Sequence, residues 1–529
     1  MPPVAFDAKV ADVTLFSALL AASRRHGSSK SILEDAERKP IAYNRLVLGA
    51  IVLGAKLIKG TRRGETVGIL LPNVNAMVVA LLGLNAYGRV AGLLNFTAGA
   101  RNIVSAVGTG QIAKVVTSRR FIDQAKLDDV VAAIAAVEVA PGNCVEIVYL
   151  EDVARGIGTR DKIAGMMRSL WAGRLHRRYG LRPEQAAVLL FTSGTEGTPK
   201  GVALSSRNLV ANARQIYQHA TGVLSPADVM MNPLPMFHSY GLTAGTLMPL
   251  LSGIKVVLYP SPLHYKQIPK LIGETKATAM VATDTFLQGY GRAAEPGDLG
   301  SMRFVIAGAE RVKEATRALW AKAGTLLLEG YGATECAPVL AANLPEANRP
   351  GTVGRLLPGI EWRLDPVEGI SEGGRLVVRG PNVMLGYMMA DRPGVVVPPE
   401  GGWHDTGDIV TVDGDGFVTI RGRAKRFAKI GGEMVSLAAV EALAASLWPE
   451  GNHVVISLPD PRKGEQLILV TDRPDADKAA LLKHAQEAGF PEMWVPKAVM
   501  VVAAIPVLGS GKIDFPAATE MVRQARPLL

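Results

Sequence analysis

Cysteine is almost absent from this chain, since only Cys144 and Cys336 occur among its 529 residues. Two cysteines exclude the disulfide framework of a small secreted protein and indicate a reducing compartment. The N-terminus lacks a basic segment followed by an apolar core, so no signal peptide is predicted. The longest apolar run, residues 77–96, is interrupted by asparagine, glycine and arginine, which favours a buried helix and strand over a membrane span. We therefore expect a cytoplasmic protein without a transmembrane helix.

Acidic residues are fewer than basic ones, at 48 against 58, and the formal net charge is +10. Such an excess suits nucleic acid, a membrane surface, or an acidic protein or ligand, and it equally suits a scattered surface charge. The sequence has neither zinc-ligand spacing nor an aromatic–basic RNA-binding motif. Nucleic acid is therefore not an expected partner.

One basic segment, residues 161–180, places apolar side chains at helical spacing. The apolar set is Ile163, Met166, Met167, Leu170, Trp171 and Leu175, and the basic set is Lys162, Arg168, Arg174, Arg177 and Arg178. The pattern fits a helix that makes peripheral contact with a membrane, or one that docks on an acidic partner. A surface helix that packs its apolar stripe on its own domain is the more common arrangement and is the preferred interpretation.

Short apolar runs alternate with helix-period segments over residues 66–150, and the alternation resumes after residue 201. Strands are predicted at 66–71, 90–94, 112–117, 145–150, 279–282 and 304–307, and helices at 15–25, 76–87, 98–107, 122–137 and 207–220. This alternation predicts an α/β domain built on a buried parallel sheet. Loops that follow parallel strands line one crevice, so the turns at 308–310 and 329–332 are expected to face the same site as loop 192–201.

The sequence changes character from residue 351, where short β runs are separated by glycine and aspartate turns. The Asp-Gly-Asp-Gly stretch at 413–416 predicts a hairpin turn, because the remaining ligands of a calcium loop are missing. After residues 422–423 a smaller mixed unit follows, with about a hundred residues, enough for a separate domain. A chain of this length is expected to need two or more domains.

Residues 190–201 join an apolar strand-like run to a loop of hydroxyls, glycines and one lysine. Glycines let backbone N–H groups approach an anion, hydroxyls add donors, and Lys200 adds a positive charge. Pro199 stands where the common P-loop needs its second glycine, which excludes that ATPase motif. The order of residues favours a phosphate cradle over an ordinary glycine-rich turn.

Five polar signatures occur along the chain: TSGTEGTPKG at 192–201, YGATE at 331–335, DTGD at 405–408, GR at 422–423 and GSGKI at 509–513. In this order and separation they resemble the adenylate-forming superfamily, over about residues 10–520. The resemblance implies a large N-terminal domain, residues 1–424, of parallel and mixed sheets with helices and a distorted β-barrel-like part. It also implies a small mobile α+β domain, residues 425–529, with a hinge at Lys425.

The same resemblance implies a two-step reaction that uses ATP and Mg²⁺. A carboxylate attacks the α-phosphorus of ATP to give acyl-AMP and pyrophosphate, and a thiol then displaces AMP. Thr334 would bond the α-phosphate, Glu335 would hold Mg²⁺, and Lys512 would reach the substrate carboxylate and the α-phosphate. The implied cradle for the leaving phosphates consists of Thr192, Ser193, Gly194, Thr195, Gly197 and Lys200.

The nucleoside would be held by a second group of residues. Tyr331 would cover the adenine beside Gly332, Asp408 would accept from the ribose diol, and Arg423 would contact the same sugar. The turn formed by Gly308, Ala309 and Glu310 would line the adenine site and the acyl pocket. Each residue also has a structural alternative, such as a strand-end turn at 331–335, a hairpin cap at Asp408, or a solvated loop lysine at Lys512.

His238 would gate the acyl pocket by the same resemblance. Peptide-synthetase adenylation domains place an aspartate in this region to pair with the substrate amine, and none occurs between residues 232 and 246. An apolar acyl chain is therefore favoured over an amino acid, which makes a fatty acid the expected substrate.

Three departures narrow the resemblance. Glu196 replaces the usual hydroxyl of the cradle, residues 334–338 read TECAP, and Ile513 is not followed by the common arginine. These features resemble the synthetase half of bifunctional acylglycerophosphoethanolamine acyltransferase/acyl-carrier-protein synthetases. They predict a fatty acid ligase whose acceptor is the phosphopantetheine thiol of an acidic acyl carrier protein. The alternatives are a medium- or long-chain acyl-CoA ligase with CoA as acceptor and, less favoured, a non-catalytic AMP- or acyl-binding sensor.

Overall fold

The computed structural model describes residues 5–140, 142–193, 199–370, 372–430, 433–460, 464–507 and 513–525, with the backbone alone at residues 140, 193, 425 and 433. The described helices are α1 (Leu15–His26), α2 (Tyr43–Leu57), α3 (Asn75–Ala86), α4 (Ala100–Thr109), α5 (Arg119–Ala125), α6 (Asp128–Ala135), α7 (Leu150–Arg155), α8 (Thr159–Leu170), α9 (Ala172–Tyr179), α10 (Ser206–His219), α11 (Met248–Ser252), α12 (Gln267–Thr275), α13 (Asp284–Ala293), α14 (Glu314–Lys322), α15 (Leu437–Leu447), α16 (Lys478–Glu487) and α17 (Phe515–Ala525).

The first eleven strands are β1 (Ser31–Glu34), β2 (Ile41–Ala42), β3 (Thr66–Ile69), β4 (Val90–Leu93), β5 (Lys114–Thr117), β6 (Glu138–Ala140), β7 (Asn143–Cys144), β8 (Glu146–Tyr149), β9 (Ala186–Ser193), β10 (Pro199–Ser205) and β11 (Val229–Asn232). They are followed by β12 (Lys255–Leu258), β13 (Ala279–Ala282), β14 (Phe304–Ala307), β15 (Leu326–Gly332), β16 (Val339–Ala342), β17 (Arg355–Leu356), β18 (Glu361–Asp365), β19 (Gly374–Arg379), β20 (Gly386–Met389), β21 (Arg392–Val397), β22 (His404–Val412), β23 (Val418–Arg423), β24 (Phe427–Ile430), β25 (Glu433–Ser436), β26 (His453–Asp460), β27 (Gly464–Thr471) and β28 (Ala498–Val501).

A nine-stranded sheet runs in the order β17-β16-β15-β14-β13-β11-β12-β1-β2. Its six strands from β15 to β1 are parallel, and antiparallel pairs close both edges. The central strands are short apolar runs without a polar alternation, because helices cover both faces of such a sheet. The predicted buried parallel sheet is therefore confirmed.

The strands of this sheet end together at one edge. Ala282 of β13 pairs with Ala307 of β14, and Ala307 pairs with Glu329 of β15. The loops that leave β11, β13, β14 and β15 consequently open on the same side of the sheet. Several predicted site residues, among them His238, Gly308 and Thr334, follow the strands at this edge.

An eight-stranded sheet runs in the order β21-β20-β10-β9-β4-β3-β5-β8. β9 and β10 are an antiparallel hairpin in which Thr192 pairs with Lys200. The cradle sequence therefore connects two strands, whereas a P-loop connects a strand to a helix. This topology agrees with the exclusion of the P-loop motif.

The barrel-like part expected from the resemblance is a four-stranded antiparallel sheet, β18-β19-β22-β23. Among the described residues its two edge strands do not pair with each other, so the sheet is open. Closing a barrel requires strands that tilt and stagger around an axis, and four short strands do not provide that. The turn at 413–416 connects β22 to β23, as predicted, and Arg349 forms ion pairs with Asp413 and Asp415 there.

The C-terminal part forms a separate small α+β domain. β24 to β28 make a five-stranded sheet, and the apolar clusters on its two faces contain only residues from 428 onward. The hinge position Lys425 lies in a short 3₁₀ turn, Ala424–Arg426, and its side chain is outside the described residues. The boundary at residues 424 and 425 stays a prediction.

Two predicted helices are each divided in the structure. The segment expected as one helix over 122–137 forms α5 and α6, because Lys126 adopts a left-handed conformation with φ of 53° and ends the first helix. The basic segment 161–180 forms α8 and α9, which meet at Trp171. Within the described ranges, no helix has the length and apolarity needed to cross a bilayer.

Candidate functional site

Tyr331, Asp408 and Arg423 meet where β15 approaches the four-stranded sheet. The Tyr331 hydroxyl donates to Oδ2 of Asp408, and Nε of Arg423 lies 3.0 Å from Oδ1 of the same carboxylate. Asp408 and Arg423 are also direct partners in the β22–β23 ladder. The structure therefore brings together the three side chains that the sequence assigned to the nucleoside.

The electrostatics of this group differ from those of an exposed ion pair. Asp408 is only 4 % exposed, and this burial raises the pKa of its carboxyl, while the Arg423 guanidinium and the Tyr331 hydroxyl oppose the rise. Burial and the nearby Asp408 charge also raise the pKa of the Tyr331 hydroxyl, which keeps it a hydrogen-bond donor. Arg423 is largely exposed, so its outer guanidinium nitrogens can contact a ligand while its Nε stays paired with the buried Asp408 carboxylate.

Thr334 and Glu335 follow β15 in a tight turn. The Ser239 hydroxyl donates to Oγ1 of Thr334 at 3.2 Å, which ties the turn to the loop after β11. A Cβ at Gly332 would lie 2.3 Å from the carbonyl oxygen of Pro338, so a larger residue does not fit at this position. The turn is thus held in one conformation from both sides.

Glu335 is linked to the cradle lysine through a tyrosine. The Tyr387 hydroxyl donates to Oε1 of Glu335 at 2.7 Å, and Nζ of Lys200 lies 5.6 Å from the centre of the Tyr387 ring. The backbone N–H of Met384 also donates to the Glu335 carbonyl at 2.7 Å. The segment 380–387 therefore fixes Glu335 beside the lysine of the β9–β10 hairpin.

Together these contacts make a continuous line of polar side chains. It begins at Ser239 and Thr334, continues through Glu335 and Tyr387 to Lys200, and connects along β15 to the Tyr331 group. All four of the cited contacts join segments that are more than fifty residues apart in sequence. The sequence predicted Thr334, Glu335, Lys200, Tyr331, Asp408 and Arg423 as one site, and the structure brings them together.

The loops after β11 and β14 lie against each other beside this line. The ring of Tyr240 packs on Gly308, where a Cβ would lie 2.9 Å from it, and its hydroxyl donates to the Ile306 carbonyl at 2.9 Å. His238 is half-buried, and its ring packs edge-on against Phe237. The predicted His238 loop and the Gly308 turn therefore share one wall.

The conformation of the other residues in the 308–310 turn is set by the backbone of Ala309 and by hydrogen bonds between Glu310 and Thr285. Ala309 adopts a positive φ of 68°, a conformation that non-glycine residues rarely take. Oε2 of Glu310 accepts from the Thr285 backbone N–H and from its hydroxyl, each at 2.9 Å. The turn is consequently attached to the start of α13.

Several predicted residues lie outside the described part of the chain. These are Gly194, Thr195 and Gly197 of the cradle, Glu196 beside them, and Lys512. Ser193 is described by its backbone alone, and Thr192 lies in β9 opposite Lys200. The roles assigned to them stay predictions.

The donor set fits Mg²⁺ and a triphosphate. Within the described ranges, no cluster of three or more histidine, cysteine, aspartate or glutamate side chains could hold a metal ion by itself. Mg²⁺ is typically bound by one or two carboxylates together with substrate phosphates, so a single carboxylate such as Glu335 beside Lys200 is sufficient. The same residues would not make a closed protein-only metal site.

Sequence reasoning missed Tyr387, Ser239 and Tyr240 as site residues. Tyr387 lies in β20, outside the five polar signatures of the sequence. Ser239 and Tyr240 directly follow His238, so their position next to a predicted site residue was the available signal. None of the three has a spacing that identifies its partner, because the partners come from other strands.

Comparison with known proteins finds one matching family and several CoA ligases. The family described as AMP-binding enzyme matches residues 20–388. The chain is 26 % identical over 486 residues to a long-chain-fatty-acid–CoA ligase of Escherichia coli O157:H7, covering 86 % of this chain and 85 % of that relative. It is 27 % identical over 527 residues to the probable CoA ligase CCL5 of Humulus lupulus, covering 95 % and 91 %.

The fold also has close structural relatives. The crystal structure of ATP-bound MatB from Rhodopseudomonas palustris aligns with a TM-score of 0.81 at 24 % identity, covering 97 % of this chain and 99 % of that structure. At this identity the likeness shows the fold alone. The narrower resemblance to acyl-carrier-protein synthetases stays a prediction, since the relatives named above are CoA ligases. Because the family match extends over more than half of the sequence, this chain belongs to the AMP-binding enzyme family of the adenylate-forming superfamily.

Proposed function

We propose that this protein is an AMP-forming acid–thiol ligase that activates a fatty acid with ATP and transfers the acyl group to the thiol of CoA. The observation that carries the proposal is the continuous polar line from Ser239 to Lys200, joined to the Tyr331, Asp408 and Arg423 group. Such a line matches an extended ligand with a nucleoside at one end and a phosphate chain along it. The CoA ligases among the relatives support the thiol acceptor.

At the nucleoside end, the Asp408 carboxylate would accept hydrogen bonds from the two ribose hydroxyls, and Arg423 would donate to the same sugar. A carboxylate has about four lone-pair positions, so the contacts with Tyr331 and Arg423 leave capacity for a diol. The Tyr331 ring would lie against the adenine beside Gly332. The turn of Gly308, Ala309 and Glu310 would complete that pocket.

At the phosphate end, the first step brings a carboxylate anion to a phosphate anion, so catalysis has to neutralise charge and position the reactants. Thr334 would donate to the α-phosphate, and Lys200 with the hydroxyls of Thr192, Ser193 and Thr195 would hold the departing pyrophosphate. Mg²⁺ bound at Glu335 would reduce the negative charge of the phosphates. Lys512 would stabilise the charge that develops during attack, a role that rests on sequence alone.

The acyl pocket would be formed by the wall that Tyr240 and His238 share with Gly308. No aspartate between residues 232 and 246 is available to pair with a substrate amine. An unpaired buried amine would be costly, which favours an apolar acyl chain over an amino acid.

The second step would require the small domain to reorient. We place its boundary at residues 424 and 425, so that residues 425–529 would present Lys512 for adenylation and then give a thiol access. In the orientation that the structure describes, Nζ of Lys313 donates to Asn452 at 2.9 Å and Lys429 pairs with Glu368 at 3.1 Å. Both contacts are exposed, and exposed contacts of this kind contribute little energy, so they would not prevent rotation.

An acyl carrier protein is the second candidate acceptor. The TECAP sequence at 334–338 and the acid at Glu196 favour it, and a net charge of +10 suits an acidic protein. CoA carries phosphates, so the same charge suits CoA as well.

The first test is carboxylate-dependent exchange of pyrophosphate into ATP, measured with acids of increasing chain length. We expect exchange with at least one fatty acid and none with an amino acid. If no acid supports exchange, the protein is a sensor that binds AMP or acyl groups, and the enzyme proposal fails.

The second test compares acceptors with the best acid from the first. CoA and a purified phosphopantetheinylated carrier protein are supplied separately, and thioester formation is followed by mass spectrometry. We expect the protein to form the thioester with CoA at a higher kcat/KM than with the carrier protein. Thioester on the carrier protein alone would reject CoA and establish the second candidate.

A further inference from the structure

Helices α8 and α9 present their large apolar side chains to solvent. Leu170 is 72 % exposed, and Ile163, Met166, Met167 and Trp171 are each at least half exposed. This arrangement is opposite to the preferred sequence interpretation, in which the stripe packs on the protein's own domain. The stripe points outward because small residues on the other side of α8, such as Gly165, make the contact with the domain.

The inner face of α8 is fixed against α2. A Cβ at Gly165 would lie 2.2 Å from the Val52 side chain, so the helices approach more closely than any other residue would allow. Asp161, on the same face as Gly165, pairs with Lys56 of α2 at 2.7 Å. At 100° per residue, Ile163, Met167 and Leu170 lie on the side of α8 opposite Gly165, and Met166 lies on its flank.

The inner face of α9 is fixed as well. Ala172 and His176 are buried, and the His176 ring lies within hydrogen-bond distance of Oγ1 of Thr14 at 2.6 Å and the Ala86 carbonyl at 3.0 Å. Buried contacts on the inner faces of α8 and α9 therefore keep the apolar side chains of both helices pointed toward solvent. The outer face is an exposed surface of defined orientation, not a stripe that could simply turn inward.

Cations surround the exposed apolar residues. The exposed basic side chains are Arg160, Lys162, Arg168, Arg174, Arg177 and Arg178, and Asp161 is the only acid between residues 159 and 179. The Arg174 guanidinium lies 4.3 Å from the Trp171 ring, and a hollow of about 430 Å³ opens between these side chains. We call the outer face of residues 159–179 the basic apolar surface.

We propose that the basic apolar surface docks on a membrane that contains anionic lipid. A helix with arginine or lysine beside exposed tryptophan, leucine and methionine lies in the headgroup region, with its apolar side chains below it. Lipid accepts protruding side chains without a complementary shape, and anionic headgroups supply the charge that six cations need. The proposal does not depend on the proposed function.

Two other occupants fit less well. A second copy of the chain would bring the same six cations against one another in a symmetric interface. An acidic protein would satisfy the charges, but it would also need pockets for at least four protruding apolar side chains. The charge pattern and the protrusion together favour lipid.

Vesicle sedimentation tests the proposal with the full chain. We expect binding to vesicles of equimolar phosphatidylcholine and phosphatidylglycerol, weaker binding to phosphatidylcholine alone, and loss of binding at high salt. Replacing Arg174 and Arg178 by glutamine should weaken partition by about fivefold per cation, or roughly thirtyfold together. Replacing Leu170 and Trp171 by serine should also weaken partition at low salt, because these apolar side chains no longer enter the lipid.

Matched controls come from elsewhere on the surface. Leu263 is 56 % exposed and the Arg62 side chain is 92 % exposed, and neither lies in the basic apolar surface. L263S and R62Q should bind vesicles as the parent protein does. Equal effects of the control and test variants would overturn the proposal, because binding would then reflect overall charge or hydrophobicity.

Two further outcomes would also overturn it. One is absence of binding to the anionic vesicles. The other is retention on an immobilised acidic carrier protein, lost in the variants, without any vesicle binding. Pyrophosphate exchange with a short soluble acid should be unchanged in all variants, so a failure here is distinguishable from a failure of the enzyme proposal.

Discussion

Replacing Asp408 by asparagine tests the nucleoside end of the site with almost no change in volume. Asparagine keeps one acceptor oxygen, which would face Arg423, and its amide would face the Tyr331 hydroxyl, which can accept. The lost feature is the negative charge toward the ribose. A hydrogen bond to a charged acceptor contributes about 1 to 1.5 kcal/mol more than a neutral one.

Two ribose hydroxyls would then lose about 2 to 3 kcal/mol in total, which corresponds to roughly a 30- to 150-fold higher KM for ATP. The contact between the carboxylate and the ribose is present both in bound ATP and in the transition state, so kcat should change much less than KM. The assay is pyrophosphate exchange at saturating acid with varied ATP. Replacing ATP by 2′-deoxy-ATP should raise KM less in the variant than in the parent protein, because the deleted hydroxyl and the deleted charge interact.

The same substitution makes a prediction for stability. Folding raises the pKa of the Asp408 carboxyl. Its contribution to the stability of the folded protein is therefore fully present below the pKa that it has in the unfolded chain, and this contribution is lost as pH rises through the pKa that it has in the folded protein. D408N should therefore be at least as stable as the parent at neutral pH in thermal unfolding. In the parent, KM for ATP should rise as pH falls through that raised pKa, and the variant should not show this dependence.

The control is Asp405 on the same strand, which is exposed and pairs with Arg375 at 3.2 Å. D405N should leave KM for ATP unchanged. An unchanged KM in D408N, with its unfolding temperature intact, would refute the assignment of Asp408 to the ribose.

Three other predictions concern separate parts of the chain. K512A should lose carboxylate-dependent exchange by two or three orders of magnitude yet still form thioester from supplied acyl-AMP, and equal loss of both half-reactions would contradict domain rotation. Y240A should shift exchange toward longer acids, because it opens the wall beside Gly308, and an unchanged chain-length profile would place the acyl chain elsewhere. G332A should lower the free energy of unfolding by about 2 kcal/mol or more, since its Cβ would meet the Pro338 carbonyl. G414A, which has open space around its Cβ, should change the free energy of unfolding by no more than about 0.5 kcal/mol.

Periodicity predicted the parallel sheets because their strands are short apolar runs separated by helix-length segments. It did not predict the division of the helix at 122–137, since Lys126 has no side-chain feature that requires a left-handed backbone. It also could not orient the segment 161–180. An amphipathic pattern shows that two faces differ, but only the close contact of Gly165 with α2 shows which face is inward.

The site was predictable where its residues lie in contiguous motifs. Thr334 and Glu335 lie in one motif, and Asp408 lies at the end of another. The contact of Tyr387 with Glu335 joins positions 52 residues apart, and that of Ser239 with Thr334 joins positions 95 apart. Such pairs depend on how sheets and loops pack, which no local spacing records.

The hydrogen bond from Tyr331 to Asp408 joins the nine-stranded sheet to the four-stranded sheet. A nucleotide bound by both residues would stabilise the packing of these two sheets, since a ligand that binds only the folded state stabilises that state by mass action. Saturating ATP should therefore protect the backbone of β22 and β23 from hydrogen exchange more than that of distant β5 and β8. The resistance of this junction to local opening would then follow the concentration of ATP.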